Sequence, residues 1–314
     1  MIDITLQNFE TELIQASVEQ PVLLDIWAPW CGPCRTLGPM LEKLETEYAG
    51  RFTLAKLNSD DQPEIAGQLS QAFGVRSIPF CVMFVGGQPV DGFVGALPEP
   101  QIRAFLDKHV PSADALAAEE EADVADLLAA DGDTDAALAK LGEALAIDPA
   151  NDALRADYVK RLLEGGRTAD ARRAYEPLAA KAMLDARAAA LGLYLAACEA
   201  AAQARAPDAL HAVIAANKRD FEARYELAQI HFAGGHFTEA MDELLEILMR
   251  DKAWNGELAR KTYVALLELM TRPAPKAGTP EAAKGALEVT GRSQVAPSDP
   301  VVDQYRRKLS MALF

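Results

Sequence analysis

The sequence predicts two architectures in tandem: an α/β unit with a mixed central sheet flanked by helices over residues 1–110, then an all-α unit of helical repeats over residues 111–314. Three observations carry this. Strand-like and helix-like segments alternate as far as residue 108. Past Pro111 the composition turns to Ala, Leu and Glu with helical spacing, and within that tail small residues recur behind Gly-Gly turns. At 314 residues the chain exceeds what a single core usually serves, and its apolar half is enough to fill two.

The run Val22-Leu23-Leu24-Asp25-Ile26-Trp27, bounded by Pro21 and Pro29, has the nearly continuous apolar character of a strand covered on both faces. A helix carrying Leu37, Met40, Leu41 and Leu44 follows, with Pro39 inside it expected to bend it. Residues 52–57 read as a second central strand and 80–85 as another. Gly86-Gly87-Gln88-Pro89 is a turn from which 90–94 pairs back as a hairpin. A helix over 101–109 closes the unit.

In the tail, Gly132-Asp133-Thr134-Asp135-Ala136-Ala137-Leu138 leads to a helix closed by Asp148-Pro149. The turn Gly165-Gly166 brings Ala171 34 positions after Ala137, and Gly234-Gly235 brings Ala240 a further 69 on, close to two more periods. This spacing matches a tetratricopeptide repeat, with a degenerate copy around 198–219. The turns favour repeats over a generic Ala-rich bundle. Residues 271–300 hold five prolines and read as a linker or insertion with a helix near 281–289. Residues 301–314 place Val301, Val302, Tyr305, Leu309, Ala312 and Leu313 on an amphipathic helix. Two uses are open for it: capping the last repeat through Tyr305 and Leu309, or docking on a partner through Leu313 and Phe314.

A net charge of −16 disfavours nucleic acid and anionic membrane as partners. Four cysteines make no disulfide framework and suit a reducing cytoplasm. The first residues lack a basic and apolar leader, and no run of eighteen apolar residues occurs, so a soluble, unexported chain is expected. No phosphate-cradling loop calls for a nucleotide cofactor. Cys81, Cys198, His109, His211, His231 and His236 are scattered without metal-ligand spacing, and no metal is expected. Cys81 and Cys198 read as inert, small apolar packing.

The chemistry centres on Trp30-Cys31-Gly32-Pro33-Cys34. At the start of a helix, the dipole and free backbone N–H groups favour a thiolate on the first cysteine. Cys31 is therefore the expected nucleophile, and Cys34, one turn on, the resolving thiol.

Asp25, Trp27, the Cys31-Gly32-Pro33-Cys34 run, Lys56, Ile78-Pro79 and Gly95-Ala96-Leu97 together resemble thioredoxin over about residues 1–108. The resemblance implies the thioredoxin fold and protein-disulfide reductase activity fed by a thioredoxin reductase. It implies a cis Pro79 facing the dithiol, and a client strand held by Trp30, Gly32, Pro33, Ile78, Pro79 and Gly95. Trp30 would wall that surface, or else pack in the core; Trp27 reads as structural. It also places Asp25 as a buried carboxylate beneath the dithiol with Lys56 nearby. Burial would raise its pKa and let it carry the proton of Cys34. The alternative is a partly hydrated acid paired to Lys56.

Head and tail together, with Gly87-Gln88-Pro89-Val90-Asp91-Gly92-Phe93, Arg260-Lys261-Thr262-Tyr263 and Gln304-Tyr305-Arg306-Arg307-Lys308-Leu309, resemble the bacterial YbbN/CnoX chaperedoxins. Those hold unfolding proteins without ATP and pass them to the GroEL and DnaK chaperone systems. The loop Asn58-Ser59-Asp60-Asp61 lacks the extra cysteine of some members. The resemblance implies unfolded or disulfide-bearing proteins as clients. A dedicated reductase with a substrate-selecting tail, and a non-catalytic scaffold, stand as alternatives.

Overall fold

A computed structural model describes residues 1–271 and 299–313. The chain divides into two compact units, the first Met1–Ala113 and the second beginning at Asp114.

The first unit is built on five strands, β1 (Ile2–Asp3), β2 (Val22–Trp27), β3 (Thr53–Asn58), β4 (Phe80–Val85) and β5 (Gln88–Val94). Their order is β1-β3-β2-β4-β5, with β1, β3 and β2 parallel and β4 and β5 antiparallel. Strand β2 is central and buried from Val22 to Ile26, as its apolar run requires. On one face Leu23, Leu54 and Met83 pack against Leu37 and Leu41 of α2 (Gly32–Glu47) and Ile102 and Leu106 of α4 (Glu99–His109). On the other, Leu24, Ile26 and Val82 pack against Leu13 and against Ile65 of α3 (Pro63–Phe73).

Several boundaries differ from expectation. The second central strand begins at Thr53, because Phe52 turns into the core against Tyr48, edge to face at 5.6 Å. The hairpin turn is shorter than the four residues predicted: Gly86 and Gly87, with φ of 63° and 76°, form it alone, and β5 already pairs at Gln88. Helix α3 and the stretch from Phe9 to Glu19, where a π-helical turn (Phe9–Gln15) runs into α1 (Ala16–Glu19), carry no expectation from the sequence.

The second unit holds α5 (Ala113–Ala130), α6 (Thr134–Ile147), α7 (Asp152–Glu164), α8 (Thr168–Ala179), α9 (Ala186–Ala201), α10 (Pro207–Ala216), α11 (Phe221–Ala233), α12 (Phe237–Leu248), α13 (Trp254–Met270) and α14 (Pro300–Leu313). Ala137, Ala171 and Ala240 are each the fourth residue of α6, α8 and α12, and each is fully buried. The degenerate copy occupies the same place: its fourth residue is Leu210, the equally buried fourth position of α10. The buried fourth position therefore recurs in all four helices, and in α10 a leucine stands where the recurring alanine would mark it.

Helix α14 caps the array. Val302 and Tyr305 are buried against α12 and α13, Tyr263 OH donates to the Tyr305 carbonyl (2.9 Å), and Tyr305 OH donates to Asp242 (3.2 Å). Leu309 packs partly buried in the same cluster. Of the two residues expected on a partner, Leu313 is half-buried with its carbonyl accepting from Lys252 Nζ (2.6 Å), and Phe314 lies outside the described residues. The proline-rich segment lies outside them over 272–298. No helix among the described residues is long and apolar enough to cross a membrane.

Candidate active site

The chain leaves β2 at Trp27 and enters α2 within four residues, so the Cys31-Gly32-Pro33-Cys34 run wraps the helix N-terminus. Cys31 is the N-cap, and Cys34 N–H donates to its Sγ (3.2 Å). Gly32 and Pro33 are the first two helical positions, where proline costs no hydrogen bond. Cys31 and Cys34 form a disulfide. The sulfur nearer the helix tip thus meets a backbone donor and the positive end of the dipole, both of which favour negative charge there.

Around the disulfide, Ala28, Trp27 and Ile78 form an apolar cradle. The Ile78-Pro79 peptide bond is cis, in agreement with the expectation. Pro79 leads directly into β4, and its carbonyl accepts from Gly95 N–H (2.8 Å). Gly95 has φ of 87°, a left-handed conformation that favours glycine, and a Cβ there would meet nothing within 4 Å. Gly32 is equally open. Trp30 is 68% exposed, its indole N–H donating to both oxygens of Asp60 (3.0 and 3.2 Å). Its ring thus stands at the surface and is excluded from core packing.

Beneath α2, strand register sets three side chains in one row: Asp25 of β2 pairs with Lys56 of β3 on one side and Cys81 of β4 on the other. Asp25 is 1% exposed. Burial pushes its carboxyl up from 3.8 to about 6, against the opposing pull of the Lys56 charge and the Cys81 hydrogen bond; Glu42 adds a smaller upward push. Lys56 acts on it through space, for its ammonium is ion-paired with Glu42 of α2. Gly38 passes over that ammonium, 3.6 Å from where a Cβ would stand. The carboxyl is therefore a dry, perturbed acid and not a hydrated partner of Lys56.

Cys81 departs from expectation. It is fully buried, but it is more than packing: its thiol donates to Asp25 Oδ1 at 3.7 Å. Cys198 of α9 is half-buried, and its thiol is pushed up to about 11 by burial.

The thioredoxin family model matches residues 1–108. The chain belongs to the thioredoxin family. Tetratricopeptide-repeat models match residues 128–198 and 200–279 of the tail. Among curated proteins, the thioredoxin of Chlorobaculum thiosulfatiphilum is 46% identical over 104 residues, 33% of this chain and 91% of that protein. Thioredoxin 1 of Nostoc sp. is 41% identical over 107 residues, 34% of this chain and 94% of its own length. The thioredoxin of Haemophilus influenzae is 42% identical over 103 residues, covering 33% and 91%. The first unit of this thioredoxin-family chain is thus a thiol-disulfide oxidoreductase domain, and the repeats follow it.

Proposed function

We propose that the chain is a cytoplasmic chaperedoxin, in which the dithiol reduces client disulfides and the helical unit holds non-native proteins without ATP. The observation that carries the redox half is the Cys31–Cys34 pair on the α2 N-terminus, with Cys34 N–H aimed at the Cys31 sulfur. In the reduced protein, the Cys31 thiolate attacks one sulfur of a client disulfide. A mixed disulfide forms, and the other client sulfur leaves as thiolate. Cys34 then passes its proton to Asp25 and attacks Cys31 Sγ, closing the pair and releasing the second client sulfur, which takes the proton back. Lys56 steadies the Asp25 charge. The client's extended backbone lies along Ile78, Pro79 and Gly95, with Trp30, Gly32 and Pro33 on its other side. Two electrons from a thioredoxin reductase reopen the disulfide.

The holding half draws support from the second unit. Met183 and Leu184, in the turn between α8 and α9, are 97% and 98% exposed. Beside them a groove of about 650 Å³ between α9 and α13 is lined by Ala186, Ala189 and Val264 together with the charged Glu257, Arg260, Lys261 and Glu268. Exposed apolar surface next to a groove suits unfolded segments, which would pass from there to GroEL- or DnaK-type systems. Leu313 and Phe314 stand as the contacts for such a partner.

The test compares full-length wild type, Cys31→Ser and a Met183→Ser/Leu184→Ser double variant for insulin reduction and for suppression of aggregation of several unrelated proteins. The serine variant at 31 loses reduction and keeps suppression; the double variant does the reverse. Loss of suppression in Cys31→Ser would favour a dedicated reductase, and a wild type that cannot reduce insulin would leave a scaffold.

A further inference from the structure

We infer that Cys81 is a positioning residue of the dithiol reaction, its buried thiol donating to Asp25 Oδ1 and so orienting the carboxyl that exchanges a proton with Cys34. The inference rests on Asp25 as the proton carrier of the proposed mechanism.

Geometry comes first. The antiparallel register of β2 and β4 sets Cys81 directly opposite Asp25, so both side chains leave the sheet on the same face, toward α2. Neither reaches solvent. A carboxylate in such a place requires donors, because an unpaired buried charge is strongly disfavoured. The ammonium of Lys56 is bonded to Glu42, leaving Cys81 Sγ as the side-chain donor to Asp25 among the described residues. On its far side Cys81 is paired with Phe93 of β5, and Gly92 lets β5 close tightly over it: a Cβ at Gly92 would stand 2.7 Å from the Cys81 carbonyl. The backbone that carries the thiol is thereby held closely between β2 and β5.

The choice of a thiol has a physical consequence. A strong cationic donor would keep Asp25 permanently ionised and unable to return a proton. A valine or leucine would leave Oδ1 without that donor. A weak S–H donor orients the carboxyl while leaving it free to titrate. Burial and the neighbouring carboxylate push the Cys81 thiol well above its ordinary range, so it stays a donor while Asp25 titrates. In the oxidised protein, where Cys34 does not titrate, the charged and titratable groups facing Asp25 are Lys56 from β3, Glu42 from α2 and Cys81 from β4.

The test uses the oxidised full-length protein, in which Cys81 and Cys198 are the two thiols. The infrared S–H band of Cys81 should move to lower frequency as Asp25 ionises, with the same midpoint as the Asp25 carboxyl followed by carbon NMR. The movement should vanish in Asp25→Asn, while the Cys198 band stays still. Cys81→Val should raise the Asp25 midpoint by roughly 0.5–1 pH unit, and the acid limb of insulin reduction with it. Cys81→Ser keeps a donor and should restore both toward wild type.

A Cys81 band indifferent to Asp25 ionisation, or equal shifts in the valine and serine variants, would overturn the inference; the first needs no variant to fold. Should Asp25→Asn slow reduction while Cys81→Val leaves its pH profile unmoved, the role of Cys81 alone falls. Should Asp25→Asn reduce insulin at the wild-type rate and pH profile, the proton-carrier reading falls, and the role of Cys81 with it.

Discussion

Asp25→Asn should stabilise the oxidised protein at pH 8 and leave it nearly unchanged at pH 4. The folded chain holds the Asp25 proton up to about pH 6, whereas an unfolded one releases it near 3.8. Between those values folding takes up a proton, so stability falls as pH rises through that window, and the whole loss is in place above it. A difference of about two units at 1.36 kcal/mol each amounts to about 3 kcal/mol. Asparagine removes that cost but turns an amide donor toward the Lys56 side, which subtracts about 1 kcal/mol. The net gain is about 2 kcal/mol at pH 8; at pH 4 the two effects leave the variant within about 0.5 kcal/mol of wild type. Because two units need not unfold together, urea titrations should follow Trp27 and Trp30 in a Trp254→Phe background, which confines the signal to the first unit. Equal effects at both pH values, or destabilisation at pH 8, would refute a buried carboxyl held neutral at Asp25. The same variant should reduce insulin more slowly.

Gly92→Ala should cost about 1–3 kcal/mol in the same titration, since its methyl would meet the Cys81 carbonyl at 2.7 Å and the Phe80 ring at 3.2 Å; an unchanged midpoint would contradict that packing. Cys34→Ser should accumulate client proteins disulfide-linked to Cys31, visible as bands that reductant removes; linkage through Cys81 or Cys198 would contradict the assigned roles. Tyr305→Ala strips α14 of its buried ring and of its bond to Asp242, and should cost the second unit about 3 kcal/mol and expose α14 to protease. An unaltered digestion pattern would argue against a capping role.

Much of this was legible because the signals were local. The apolar run of β2, the Gly-Gly hairpin and the Cys31-Gly32-Pro33-Cys34 turn each specify their geometry within a few residues. Two of the elements without an expectation had weak local signals. β1 is two residues long, too short for alternation to register, and the π-helical turn at Phe9–Gln15 does not keep the 3.6-residue period. α3 did carry one: Ile65, Leu69 and Phe73 recur at four-residue steps between Pro63 and Gly74, its first residue and its left-handed C-cap. In the tail, buried Leu210 fills the place of the recurring alanine, so a pattern of small residues cannot find α10 although a pattern of burial does.

Cys81 was hidden for a different reason. Alternation along β2 puts Leu23 and Asp25 on one face, and along β4 it puts Cys81 and Met83 on one face, but neither strand says which face of the other it shares. A slip of one residue in pairing would have set Val82 beside the carboxyl and turned the thiol away. That register comes from the sheet as a whole: from Leu23 opposite Met83, Ile26 opposite Phe80, and the two-residue turn that locks β5 onto β4. The dithiol is written in four adjacent residues, whereas the thiol that donates to Asp25 lies 56 positions from that carboxyl. Only pairing across strands brings them together.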